Sequence, residues 1–218
     1  MNGPLVELEN VCARTDRGEE IFRELNFALP QGRSAVIVGG AGSGKTTLAE
    51  LLLGMQQPVS GKIEIFGEPI RRRSAIRRIR RKIGGVGGPF SLIATLSVAE
   101  NILIPLIISG ERASIQRERL GRLLGELNLT KQANQYPSSL TRVENTLVQI
   151  ARASVASQPL MLIDEPSAGL DPRTYLRVLE YLHKASLFGR SMLILASEKP
   201  PLEMPNSSCY SISEGRLV

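Results

Sequence analysis

Gly39-Gly40-Ala41-Gly42-Ser43-Gly44-Lys45-Thr46-Thr47 is the stretch that decides the fold. It follows the apolar run Ala35-Val36-Ile37-Val38 and opens the helix-like run Thr47-Leu48-Ala49-Glu50-Leu51-Leu52-Leu53. Strand, glycine-rich turn and helix in that order form the context a P-loop requires. Glycines let the backbone turn tightly and approach a phosphate with no Cβ in the way. Loop N–H groups and the helix N-terminus add positive potential. In this pattern Lys45 is placed to reach the β- and γ-phosphates, and the Thr46 hydroxyl to ligate Mg²⁺.

A second stretch complements the first. Leu160-Met161-Leu162-Ile163-Asp164-Glu165-Pro166 is four apolar residues ending in two acids. A buried strand of this kind holds Asp164 where it can orient Mg²⁺ and its water shell. Glu165 follows, placed to polarise an attacking water as general base.

Between and around these stretches the chain alternates. Strands are expected at Leu5 to Val11, Leu25 to Leu29, Arg33 to Val38, Lys62 to Phe66 and Ile83 to Val86. Ser97 suits the N-cap of a helix from Val98 to Ile108. Leu120, Leu123, Leu124 and Leu127 recur with helical spacing, and a further helix runs from Leu140 to Ala156. Pro172 fits the first turn of a helix whose face carries Tyr175, Val178, Leu179 and Leu182. A strand from Ser191 to Ala196 and a hairpin around Glu214-Gly215 complete the chain. Strands alternating with helices predict an α/β sheet with ligands at the carboxyl ends of its strands. One domain spans 1–218, with a core of 1–88 and 157–218 split by a helical insertion at about 89–156.

Composition narrows the class. The chain is 42% hydrophobic and 22% charged, with no Trp. No apolar run is long enough to span a membrane; the nearest, Ile102 to Ile108, is short and interrupted by Pro105. The N-terminus lacks the layout of a signal peptide. Two distant cysteines, Cys12 and Cys209, build no disulfide framework, which suits a reducing compartment. The net charge of +6 is local. Arg71 to Lys82 holds eight basic residues, and without them the balance is 19 basic against 21 acidic, or −2. That segment reads equally as a solvated helix face or as a contact for anionic headgroups or an acidic partner. Nucleic acid is not expected, because stacking aromatics are absent around it.

With both phosphate-site stretches in hand, the sequence resembles the ABC-type ATPases over nearly its whole length. Ser167-Ala168-Gly169-Leu170-Asp171 resembles their D-loop, and Leu96-Ser97-Val98-Ala99-Glu100-Asn101 the element after their Q-loop. Tyr136 to Leu140 resembles the lead-in to their signature motif, and Ile150-Ala151-Arg152-Ala153 the helix after it. Length and the Ile102 to Ile108 segment are most similar to the LolD, FtsE and MacB branch. The resemblance implies a P-loop NTPase core with N-terminal antiparallel strands and an inserted helical subdomain. It also implies ATP and Mg²⁺ as ligands, a second cassette in a head-to-tail dimer, and an integral membrane permease-like partner. The implied location is cytoplasmic, peripheral on the inner face of the cell membrane.

The departures from the family pattern bear on rate. The signature reads Leu140-Thr141-Arg142-Val143-Glu144, with Arg142 and Val143 in place of two glycines. The Q-loop glutamine aligns with Gly88, which predicts a looser hinge. The switch histidine aligns with Ser197, and the adenine-stacking aromatic with Thr15. The single histidine, His183, is expected at the surface. Phosphate and metal groups survive, as does Glu165, so slow hydrolysis is the expectation; one lost transition-state donor typically costs ~10²–10³ in rate.

Overall fold

The computed structural model describes residues 3–15 and 17–218; residues 1, 2 and 16 of the expected core lie outside the described part. Among the described residues there are ten strands, arranged in two sheets, and six α-helices. β1 (Val6–Arg14), β2 (Glu20–Leu29), β4 (Ser60–Ile65) and β5 (Glu68–Pro69) make an antiparallel sheet in the order β2-β1-β4-β5. The other sheet runs β10-β9-β3-β8-β7-β6. Its members are β3 (Ser34–Val38), β6 (Ile83–Val86), β7 (Leu160–Asp164), β8 (Ser191–Ala196), β9 (Ser207–Ser213) and β10 (Arg216–Leu217). All pairs but the last hairpin are parallel.

The inner parallel strands β3, β7 and β8 are apolar on both faces, and each face meets a different layer. Ile37, Leu160, Leu162, Leu193 and Leu195 point toward α1 (Lys45–Leu52) and the antiparallel sheet. Val36, Met161, Ile163, Met192 and Ile194 point toward the helices of the other side. Those helices are α3 (Val98–Ile108), α4 (Ala113–Glu126) and α5 (Arg142–Val155), all lying between β6 and β7 in sequence, and α6 (Pro172–Leu187). Burial on both faces explains why these strands read as unbroken apolar runs rather than as alternation.

Most expected elements are present. Ser97 caps α3 in a reciprocal box with Glu100, and Thr141 caps α5 in the same way with Glu144. Asp171 accepts from the amides of Arg173 and Thr174 at the start of α6. β2 begins at Glu20, ahead of the expected Leu25, because its first half contributes one deeply buried residue, Phe22, with Ile21 partly buried beside it and Glu20, Arg23 and Glu24 exposed. The basic segment forms α2 (Arg73–Arg81), which buries Ala75 and Ile79. Part of its charge is used within the chain. Arg78 pairs with Glu68 at 2.5 Å, Arg80 donates to the Leu53 carbonyl at 2.7 Å, and Lys82 sits 5.1 Å from the Phe66 ring centre.

Candidate nucleotide site

Strand order sets the geometry. β8 lies between β3 and β7, so the residues after all three strands emerge side by side at their carboxyl ends. After β3 the chain makes the Gly39–Gly44 loop and enters α1 at Lys45. Gly44 sits at φ +100, and a Cβ there would lie 2.5 Å from Ile21 and 2.8 Å from the Phe22 ring. Only glycine satisfies both the left-handed backbone and that packing.

Lys45 is 7% exposed. Its ammonium donates to the carbonyls of Gly39 and Gly40 at 2.6 and 2.9 Å, and lies 3.2 Å from Glu165 Oε1. The Thr46 hydroxyl donates to Asp164 Oδ2 at 3.1 Å. Asp164 ends β7 and is 2% exposed. Its other oxygen, Oδ1, is buried with no hydrogen-bond donor. Burial pushes the Asp164 carboxyl above its ordinary pKa, with the Thr46 hydroxyl working against the shift and the Glu165 charge adding to it.

Glu165 follows with φ +53, an unusual backbone for a non-glycine residue, and its amide donates to the Leu195 carbonyl at 2.8 Å. Its carboxylate is held by Ser197, immediately past β8: the Ser197 hydroxyl donates to Oε1 at 2.6 Å and the Ser197 amide to Oε2 at 3.2 Å. Tyr175 of α6 feels the same charge. Its phenol is pushed up to about 12, by burial first and by Glu165 second.

The structure thus brings Lys45, Thr46, Asp164, Glu165 and Ser197 together, and Ser197 contacts the carboxylate directly. Other positions behave differently from expectation. The glycines after β6 provide contact rather than slack. A Cβ at Gly87 would collide with the Asp164 carbonyl, and one at Gly88 with Asp164 Oδ2. Arg142 is exposed, yet its side chain lies across Gly169 of the same chain, where a Cβ would overlap it. Thr15 closes a turn with Glu19 through its amide and hydroxyl. His183 is half-buried, its Nδ1 3.2 Å from the Glu203 carbonyl. Sequence reasoning passed over Gln149 of α5, whose Oε1 accepts from the Gly87 amide at 2.7 Å.

Two other hollows lie apart from Lys45. One, of about 690 Å³, runs between α4, α5 and α6 and includes Tyr181, Lys184, Phe188 and Arg190. Arg190 there donates to the Ser154 carbonyl and the Ser157 hydroxyl, so it serves the C-terminal end of α5. The other, of about 440 Å³, lies at the start of α5 beside Ala168. Among the described residues no helix is long and apolar enough to cross a membrane.

Comparison with known proteins identifies the family. A family model described as ABC transporter matches residues 22–168. The methionine import ATP-binding protein MetN of Nocardia farcinica is 31% identical over 223 residues, covering 100% of this chain and 67% of its own. The lipoprotein-releasing system ATP-binding protein LolD 1 of Rhodopirellula baltica is 32% identical over 203 residues, covering 91% of this chain and 88% of its own. The dimeric post-hydrolysis structure of the ATP-binding cassette MJ0796, bound to ADP and Pi, superposes with a TM-score of 0.87 at 26% identity, over 97% of this chain and 96% of that one. This chain belongs to the ABC transporter family, as an ATP-binding domain. It spans 57% to 67% of the length of MetN proteins such as those of Bifidobacterium longum and Nocardia farcinica.

Proposed function

We propose that this chain is the ATP-binding subunit of an ABC-type membrane complex, binding MgATP at its P-loop and coupling binding and slow hydrolysis to a membrane partner. The observation that carries this reading is the convergence of Lys45, Thr46, Asp164 and Glu165 at the carboxyl ends of β3 and β7. In this reading Gly39, Gly40, Ala41, Gly42, Ser43, Gly44, Lys45, Thr46 and Thr47 cradle the phosphates.

The donor set suits Mg²⁺. Asp164 Oδ1 is a buried oxygen without a donor, and the Thr46 hydroxyl stands beside the same carboxylate. Mg²⁺ is commonly held by one or two protein oxygens, with phosphate and water completing the octahedron. That agrees with the absence, among the described residues, of any group of three or more His, Cys, Asp or Glu able to hold a metal. When bound, the ion would be held by Asp164 and Thr46 and would neutralise phosphate charge. Lys45 exchanges its contacts with the Gly39 and Gly40 carbonyls for phosphate. Glu165 takes the role of general base toward water, its carboxylate oriented by Ser197.

The further assignments rest on the family. A second cassette, identical or not, and an integral membrane permease-like subunit are the proposed partners. A cytoplasmic position on the inner face of the membrane follows from them. MetN and LolD are named for methionine import and lipoprotein release, and those cargoes belong to those proteins.

Arg142 favours a second reading, a catalytically degenerate nucleotide-binding regulatory or structural subunit that pairs with a complete ATPase chain. Its side chain occupies the space over Gly169 at the start of α5. MgATP turnover by the purified chain, with Lys45→Ala as blank, separates the two. Turnover well above the blank supports the motor subunit. Turnover equal to it supports the regulatory one.

A further inference from the structure

Gly88 has no side chain to place in the site, yet it lies against the Asp164 carboxylate. Something else must hold its backbone there. β6 pairs in parallel with β7, Val86 opposite Ile163, so Gly87 comes level with Asp164 just as the strand ends. Gly87 takes φ +73 and Gly88 φ +42, and neither has room for a Cβ on its Asp164 side. The two residues form a bare backbone wedge, with Asp164 on one side and α5 on the other.

One polar side chain of α5 reaches Gly87 itself, while Arg152 of the same helix holds the Phe90 and Ser91 carbonyls just beyond. Gln149 Oε1 accepts from the Gly87 amide at 2.7 Å. Its Nε2 donates to Asn145 Oδ1, one turn earlier on the same helix, at 2.7 Å. Asn145 therefore fixes which end of the Gln149 amide faces Gly87. No other acceptor for the Gly87 amide is found among the described residues.

We propose that Gln149 is a positioning residue for Asp164. It pins the Gly87–Gly88 backbone against that carboxylate, so that Oδ2 stays on Thr46 and Oδ1 stays free for the metal. This rests on the reading of Asp164 as a Mg²⁺ ligand. The consequence is that the metal-dependent part of nucleotide affinity depends on a side chain of α5 whose hydrogen bonds go to Gly87 and Asn145 rather than to Asp164 or the P-loop.

The test is the affinity of the full chain for ADP, by calorimetry, in Mg²⁺ and in EDTA. Gln149→Met keeps the length of the side chain and removes the acceptor. It should lose about tenfold of the Mg²⁺-dependent gain, as expected for one buried hydrogen bond, with affinity in EDTA within about twofold of wild type. Gln149→Glu keeps the acceptor and should retain most of the gain. Asn145→Ala, a milder change should Gln149→Met fail to fold, is expected to fall between. A full Mg²⁺ gain in Gln149→Met, or in Asn145→Ala if only that variant folds, overturns the proposal. So does an equal loss with and without metal, which would mark a merely structural role. A wild-type chain whose ADP affinity ignores Mg²⁺ would overturn the reading of Asp164 itself, and the Gln149 role with it.

Discussion

Ser197 holds Glu165 by both carboxylate oxygens, its hydroxyl to Oε1 at 2.6 Å and its amide to Oε2 at 3.2 Å. A serine thus fixes the orientation of the proposed general base from the neighbouring strand. The amide bond survives any substitution that leaves the backbone in place; the hydroxyl bond does not. Ser197→Ala should therefore lower kcat by roughly tenfold, the order expected for one hydrogen bond to a charged group. KM for MgATP should change little, because Ser197 contacts the carboxylate and not the P-loop. Steady-state kinetics on the two proteins checks the split.

Glu165→Gln removes the base while keeping the shape. Turnover should fall by ~10²–10⁴, the usual contribution of a positioned general base. The variant should still bind ATP, since Lys45 and Thr46 are untouched. A nucleotide-trapped dimer on size-exclusion chromatography would be the accompanying sign.

Asp164 carries a desolvation cost in the metal-free protein, which is why its carboxyl sits above the ordinary pKa. Asp164→Asn removes that buried charge. It should raise Tm in EDTA, by about 2–4 °C for each kcal/mol relieved in a domain of this size. The same change should abolish any stabilisation by MgADP. Paired thermal melts with and without Mg²⁺ and nucleotide measure both effects.

Helix caps predict the acid limb of stability. Glu144 at the third position of α5 is held below its ordinary value near 4.5, chiefly by the Thr141 amide and hydroxyl. Glu100 is held down in α3 by the Ser97 hydroxyl and amide. A carboxylate whose folded pKa is depressed stabilises the fold fully above its unfolded value. That stability is lost as pH falls through the folded value. Glu144→Gln should therefore flatten the fall of Tm below about pH 4.5, with a small loss at neutral pH.

Asn101 is a buried polar hinge post. It is 0% exposed, accepts from the Ile93 amide at 2.8 Å, and donates to the carbonyls of Ile93, Leu96 and Ser97 at 3.0 Å each. Asn101→Leu takes the partner from the Ile93 amide and the Leu96 carbonyl, while the Ile93 and Ser97 carbonyls keep the amides of Leu96 and Asn101. The expected cost is about 2–4 kcal/mol. Urea denaturation should show it as a lower midpoint with an unchanged slope.

What was legible in the sequence was local. The P-loop and Asp164-Glu165 could be read because each is a continuous segment whose flanks announce strand and helix. β6, β8 and α3 fell where their apolar runs and the Ser97 cap put them. The clamp on Glu165 could not be read, because it depends on β8 lying between β3 and β7. Nor could Gln149: a polar residue on a half-exposed helix gives no sign of the strand end it will meet. The glycines from Gly84 to Gly88 were visible, but their reason was not. Alone they suggest freedom, and only their contacts, Gly84 with Ala153, Gly85 with Phe90, and Gly87 and Gly88 with Asp164, show that they are there for want of space.

The Arg142 side chain fills the place where a Cβ on Gly169 would stand. This pose of the arginine exists only beside a residue without a Cβ, so exchange of Gly169 would displace it. The two positions form one steric unit, to be changed together or not at all.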